Sequence, residues 1–102
     1  MQANSQALII IAPKEIKDDL VDRLMALDII SGFSLTVIDG YSREHSHYSI
    51  DEQVEGYRRY FRFEVLHQQE QELSILQALE QTCAPARARY WVQSVSRIGR
   101  FS

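Results

Sequence analysis

Six consecutive apolar residues near the start of the chain, residues 7–12, are followed directly by a proline. The aliphatic side chains of this run fall on both faces of an extended segment, which is typical of a central strand buried on both sides. Pro13 suits the first position of a helix, where its missing N–H costs nothing. The run therefore predicts a buried strand over residues 6–12 that leads directly into a helix.

Five further segments follow this strand, and their order defines the fold class. Helical spacing of apolar residues predicts a first helix over about residues 13–27 and a second over about residues 69–82. Alternating patterns predict strands over residues 33–39, about 57–66 and 88–95. The predicted fold is α+β, a ferredoxin-like β-α-β-β-α-β domain with a four-stranded antiparallel sheet and two helices on one face. The first and third strands are expected in its centre.

Each predicted helix has an apolar stripe that is expected to cover the sheet. The stripe of the first helix contains Ile16, Leu20, Val21, Leu24, Met25 and Leu27. The stripe of the second contains Leu73, Leu76, Leu79 and Cys83, with Ile75 and Ala78 beside it.

The size and composition of the chain predict a single domain over residues 1–102. No apolar run approaches the roughly 18 residues that a membrane span needs, and no signal-peptide pattern is visible. The single cysteine excludes a disulfide framework within one chain. These features predict a cytoplasmic protein that does not insert into a membrane.

Two helices cover only one face of such a sheet, so the other face must be accounted for. Alternate residues of the first strand point to it, either the pair Ile9 and Ile11 or the pair Leu8 and Ile10. The neighbouring strands add Trp91 or Tyr90, Leu66 and Ile38. Soluble monomers rarely expose an apolar patch of this size. We therefore expect the open face to be buried in an oligomer.

The connection between the second and third strands is long and polar. It spans about 16 residues, whereas most connections have about 4–6, and long loops are usually functional or disordered. We expect recognition to depend on residues 43–56. Here His45 and His47 are candidate metal ligands, because residues two apart in an extended segment point the same way and imidazole binds Zn²⁺, Cu²⁺ and Ni²⁺. Glu44 beside them is a candidate for a further ligand. His67 or a neighbouring subunit is a further candidate donor, and solvated loop histidines are the alternative interpretation.

Charge is distributed unevenly along the chain. Residues 1–56 carry four basic and ten acidic side chains, whereas residues 57–102 carry seven basic and four acidic ones. The last twenty residues contain no acid and include Arg87, Arg97 and Arg100. These arginines are a candidate anion site. A solvated C-terminal edge is the alternative interpretation.

The stretch that enters the long connection resembles a motif of the nitrogen-regulatory PII signal proteins. The motif, Gly-x-x-x-Thr-x-x-x-Gly-aromatic-x-Arg, is matched by Gly32, Thr36, Gly40, Tyr41 and Arg43. The chain also resembles a small PII-like family of proteobacteria that is found near heavy-metal efflux genes, and its ending, Arg-Ile-Gly-Arg-Phe, agrees with that family.

The resemblance implies a homotrimer that packs through the open sheet faces and presents its long loops to a protein partner, with an efflux component as the candidate partner. It also implies a regulatory role, in heavy-metal efflux or homeostasis. PII proteins bind ATP with a loop rich in glycine and lysine, but the corresponding residues 82–87 contain neither, so PII-type nucleotide binding is the lesser alternative. No cofactor is required by this interpretation, and a divalent or copper ion is the candidate ligand.

Two other function classes fit the sequence poorly. No Ser/His/Asp set, phosphate loop or zinc signature is visible, and Asn4, the only asparagine, lies in the N-terminal tail rather than where an acylphosphatase-like site would need it. RNA-recognition motifs share the topology, but residues 57–63 lack the usual glycine and the first strand lacks the stacking aromatic. We therefore expect neither an enzyme nor a nucleic-acid-binding protein.

Overall fold

A computed structural model of the chain describes residues 4–41 and 57–102. Its elements are β1 (Ser5–Pro13), α1 (Lys14–Met25), β2 (Ser34–Gly40), β3 (Arg58–Gln68), a 3-10 turn (Gln69–Gln71), α2 (Glu72–Cys83) and β4 (Arg89–Ser94). The strands form one antiparallel sheet in the order β2-β3-β1-β4. The predicted β-α-β-β-α-β ferredoxin-like fold is thus confirmed, with β1 and β3 in the centre. Neither described helix is long and apolar enough to cross a membrane.

The core lies between the sheet and the two helices. Even-numbered residues of β1 and odd-numbered residues of β3 face the helices, because Leu8 pairs with Val65 and Ile10 with Phe63 in the β1–β3 register and all four belong to the buried core cluster. The helices contribute Leu20, Leu24, Ile75 and Leu79 to the same cluster. This arrangement selects Ile9 and Ile11, of the two predicted pairs, as the residues on the other face.

The face away from the helices, here called the open face, has a mixed surface. Ile9 lies between Glu64 and Trp91 in the sheet register and is fully buried within the single chain. Glu64 forms an ion pair of 3.1 Å with Arg62. Partly exposed apolar side chains surround this pair: Ile11, Ile38, Leu66 and Trp91. The predicted apolar patch is therefore present, but an ion pair interrupts it.

Two residues predicted to lie in the helix stripes are instead exposed. Met25 and Leu73 are 73% and 70% exposed. At about 100° per residue, Leu73 lies about 160° around α2 from Ile75, which faces the sheet. Met25 is similarly turned away from Leu20 and Leu24, the buried residues of α1. The buried residues of each helix define the face that it turns toward the sheet. Met25 and Leu73 lie outside that face.

The antiparallel connections place the element ends at two opposite ends of the domain. One end, here called the loop end, holds the last residue of β2, the first of β3, the start of α1 and the end of α2. The opposite end, here called the tail end, holds the starts of β1 and α2 and the end of β4. There the Val95 N–H donates to the Ser5 carbonyl at 3.0 Å. The long connection and the C-terminal segment therefore leave the sheet at different ends.

Candidate functional site

Six residues at the loop end, here called the loop base, close the long connection: Glu15, Gly40, Tyr41, Tyr57, Arg58 and Tyr60. Gly40 pairs with Arg58 in the β2–β3 register. One step further out, the ring centroids of Tyr41 and Tyr57 lie 5.6 Å apart. Such aromatic pairs contribute about 0.5–1.5 kcal/mol beyond their buried area. The chain therefore leaves the sheet and returns to it at two neighbouring points.

Arg58 joins the loop base to the first helix. Its Nη2 donates to Glu15 Oε1 at 2.7 Å, and its guanidinium lies 5.4 Å from the centroid of the Tyr60 ring. The Arg58 side chain is 15% exposed and the Glu15 side chain 56% exposed, so the ion pair has one buried partner and one partner that water reaches. Next to it, Asp39 and Arg59 pair at 3.5 Å. These contacts tie the start of β3 to α1 and to β2.

Gly40 is required at the loop base by a close approach of Tyr60. A Cβ atom added at Gly40 would lie 2.5 Å from Tyr60 Cδ2 and 2.7 Å from Tyr60 Cε2. Non-bonded carbon atoms in proteins do not approach each other so closely. The Tyr60 ring also contacts the Arg58 guanidinium. A Cβ atom added at Gly32, the first glycine of the same motif, would have no other atom within 4 Å.

This difference gives a matched pair of variants. We expect Gly40→Ala to lower the free energy of unfolding by about 1–3 kcal/mol, because the Tyr60 ring must move. Gly32→Ala is expected to be neutral or to stabilise the chain by up to about 1 kcal/mol, through the lower entropy of the unfolded chain. Urea denaturation of both variants measures the effects. Equal effects would contradict the assigned role of the Tyr60 contact.

The predicted metal ligands Glu44, His45 and His47 lie outside the described residues. Within residues 4–41 and 57–102, no group of three His, Cys, Asp or Glu side chains is arranged to hold a metal ion. The further candidate donor, His67, is buried on β3 at the tail end, and its Nδ1–H donates to the Gln68 carbonyl at 2.8 Å. Nine residues of strand, about 30 Å, separate His67 from Arg58, so His67 is not part of a site at the loop base.

The candidate anion ligand Arg87 lies at the loop end in a strained backbone conformation. Its φ is +53°, in the left-handed region that favours glycine. The Arg87 N–H donates to the Ala84 carbonyl at 2.9 Å, and the Ala88 N–H donates to the Cys83 carbonyl at 3.2 Å. This is the hydrogen-bond pattern that ends many helices. Both donors are used within the turn, so neither is available to a phosphate.

The other two candidate anion ligands lie away from Arg87. Arg97 and Arg100 follow β4 at the tail end, whereas Arg87 precedes it at the loop end, and both of the C-terminal arginines are exposed. A six-residue strand is about 20 Å long. The structure therefore does not bring the three arginines together within one chain.

Cys83, the last residue of α2, is half-buried against the core. Burial raises the pKa of its thiol above the usual value, and the nearby Glu80 carboxylate raises it further. A protonated thiol is a poor nucleophile and a poor metal ligand. Its surroundings therefore fit a packing role for Cys83.

The sequence analysis did not identify the loop base. The contact of Arg58 with Glu15 joins residues 43 positions apart, which no local pattern predicts. The available signal was the antiparallel register: once Gly40 is paired with Arg58, Tyr41 and Tyr57 must be neighbours.

All but the first residue of the chain matches one protein family. Residues 2–102 match the family described as "Protein of unknown function (DUF3240)". The chain belongs to the DUF3240 family. A crystal structure of a member from Shewanella baltica OS155 is 38% identical, with a TM-score of 0.81 over 97% of this chain and 98% of that chain. No curated protein matches this chain.

The fold extends beyond the DUF3240 family. Arabidopsis thaliana PII, in a crystal structure bound to citrate, has a TM-score of 0.71 over 96% of this chain and 81% of its own, at 12% identity. At this identity the similarity shows a PII-like fold alone. The predicted link to heavy-metal efflux genes is not tested by these similarities and stays a prediction.

Proposed function

We propose that this chain is a PII-like regulatory binding protein that forms a homotrimer and presents the connection between β2 and β3 to a protein partner. The observation that carries the proposal is the loop base. A ring pair, a half-exposed ion pair and a close glycine contact hold both ends of a 15-residue segment at one end of the domain. Binding residues are often found on loops that a rigid scaffold positions in this way.

The proposed trimer packs through the open face. Leu66 and Trp91 are 42% and 39% exposed there, and Ile9 beneath Trp91 is already buried, so a partner subunit would complete an apolar layer. The Arg62–Glu64 pair would fix the orientation of one subunit relative to the next, since buried ion pairs act more on specificity than on affinity. The PII-like fold supports this arrangement by analogy.

The proposed signal is a divalent or copper ion held by Glu44, His45 and His47. This part rests on the residue types and on their spacing in the sequence. A metal that orders the segment would change its affinity for the partner, because a ligand shifts a conformational equilibrium by its difference in affinity for the two states. The physiological setting that fits this proposal is heavy-metal efflux or homeostasis in the cytoplasm, with an efflux component as the partner.

A second candidate function, nucleotide or other anion binding, has one observation in its favour. Arg87, Arg97 and Arg100 are all exposed, in a part of the chain, residues 83–102, that contains no acid. Because Arg97 and Arg100 lie at the tail end, an anion site of all three would have to form between copies of the chain. Neither candidate function requires catalysis, and we propose a binding protein and not an enzyme.

Metal titration of the metal-stripped protein tests the proposal. Thermal unfolding is measured with Zn²⁺, Cu⁺, Cu²⁺, Ni²⁺ or ATP for the wild type and for the double variant His45→Ala, His47→Ala. A metal at 100 times its Kd is expected to stabilise the wild type by about 2.7 kcal/mol and to leave the double variant unchanged. Capture of a cell protein by the immobilised wild type, but not by the double variant, is expected to require the same metal.

The control is Ser46→Ala, a change between the two histidines that keeps both imidazoles. This variant is expected to respond to the metal as the wild type does. An equal metal response in the double variant would move the site away from the connection. A shift with ATP alone would favour the anion site and Arg87 over the metal proposal.

A further inference from the structure

The open face carries more positive than negative charge. Alternation along the described strands places three arginines and one acid on it: Arg58, Arg62, Arg89 and Glu64. Arg58 pairs with Glu15 of α1, and Arg62 pairs with Glu64. The exposed Arg89 side chain has no ion pair, hydrogen bond or ring contact with any described residue. One cation of this face is therefore unpartnered in the single chain.

Arg89 is the first residue of β4 and lies on the open face beside Ile11. The register pairs Ile11 with Arg89 on one side and with Arg62 on the other. Residues paired in this way across antiparallel strands point to the same face of a sheet. The two arginines therefore flank Ile11, and the charged residue in the same row of the sheet as Arg89 is another cation.

Glu64, the one acid that the described strands place on the open face, is out of reach of Arg89 within the chain. Two strand spacings and two residues along the strand separate them, about 12 Å between Cα atoms. Glu64 Oε1 accepts a hydrogen bond from Arg62 Nη1 at 3.1 Å, yet the Glu64 side chain is still 39% exposed. A carboxylate has two oxygens and can accept from two donors at once. Glu64 can therefore accept a second arginine that approaches from outside the chain.

The two halves of the open face are complementary in charge. Among the described residues, the half on β1 and β4 carries Arg89 beside apolar Ile11 and Trp91 and has no acid, whereas the half on β2 and β3 carries Glu64. In a ring of three copies, every interface joins two different surfaces of the chain. A contact that lays β4 of one copy against β3 of the next therefore brings the unpartnered cation to the acid.

We propose that Arg89 of one copy pairs with Glu64 of the next copy across the open face. Glu64 then binds two arginines, Arg62 of its own chain and Arg89 of its neighbour. A guanidinium buried at an interface without an acid is strongly unfavourable, so packing of the open face makes this partner necessary. The ion pair rests on the proposed function, since it forms only in an open-face assembly, and it sets how neighbouring copies are aligned.

Charge reversal of either residue tests the pair. Arg89→Glu sets a carboxylate against the Glu64 carboxylate of the next copy, and Glu64→Arg brings three arginines together. The molecular mass is followed on dilution by light scattering and, at lower concentrations, by the fluorescence anisotropy of chains labelled at the amino end. Each single variant is expected to dissociate at a concentration at least about tenfold higher than the wild type does.

The double variant Arg89→Glu, Glu64→Arg restores opposite charges at the two positions and keeps the net charge of the wild type. It is expected to regain the trimer mass at the concentrations where the single variants dissociate. Positions about 12 Å apart in one chain are too distant to interact directly, so this rescue would come from a contact between chains. Dissociation of the double variant like that of the single variants would overturn the pair.

The matched control is Arg23→Glu, the same charge change at an exposed position in the last turn of α1, away from the open face. It is expected to keep the wild-type mass at every concentration. If Arg89→Glu also keeps that mass, Arg89 is a solvated charge of an edge strand, and the pair is overturned while the proposed trimer stands. A wild type with the mass of one chain would overturn the trimer and the pair together.

Discussion

Leu79→Ala is expected to lower the free energy of unfolding by about 2–5 kcal/mol, because it removes a nearly fully buried side chain and leaves a cavity. Leu79 is 3% exposed and belongs to the same buried core cluster as Ile10 and Phe63. For a domain of this size each kcal/mol shifts the Tm by roughly 4–8 °C. The expected loss is therefore at least about 8 °C, measured by calorimetry or by circular dichroism during heating.

The matched control lies on the same helix. Leu73→Ala makes the same chemical change at a position that is 70% exposed, and it is expected to change stability by no more than about 0.5 kcal/mol. The comparison of the two variants tests which face of α2 packs against the sheet. A larger loss for Leu73→Ala than for Leu79→Ala would show that the helix faces the sheet with the stripe that contains Leu73.

Trp91→Glu is expected to disrupt the proposed trimer while leaving the chain folded. Trp91 lies on the edge strand β4, next to Ile9 in the register, and its Nε1–H donates to Gln93 Oε1 at 3.2 Å. Buried tryptophans at interfaces often contribute about 2 kcal/mol or more. The new carboxylate at position 91 would also be buried without a partner, once in each of the three subunits. Light scattering is expected to give the mass of a monomer.

The control for this variant is Met25→Glu. It places the same charge at an apolar side chain that is 73% exposed on the helix layer, away from the open face, and it is expected to keep the wild-type mass. If Trp91→Glu also keeps the wild-type mass, the trimer does not pack through the open face. Circular dichroism of both variants confirms that the fold is retained.

Much of the fold could be predicted because its strands have clear patterns. The alternating apolar residues of β3, Phe61, Phe63 and Val65, indicate a core face, and all three lie in or against the buried core. In β1 every position from 7 to 12 is apolar, so alternation could not decide between Ile9 and Leu8. That choice depends on pairing with β3 and on where the helices pack, which the sequence of β1 alone does not contain.

The candidate site was less predictable than the fold, for a physical reason. The contacts of the loop base join residues from separate elements: Glu15 with Arg58, and Tyr41 with Tyr57. Their geometry follows from strand register and helix phase, and a small error in either moves the side chains apart. Met25 and Leu73 show this sensitivity, since both were predicted in an apolar stripe and both are exposed.

The most direct test of the central claim, a PII-like assembly that presents its long connections, is the mass of the wild-type protein in solution. Size-exclusion chromatography with multi-angle light scattering compares that mass with the chain mass of 11.8 kDa. The account predicts three times the chain mass, independent of dilution over the accessible range. A mass equal to one chain would contradict it, since the open face would then have no subunit to cover it.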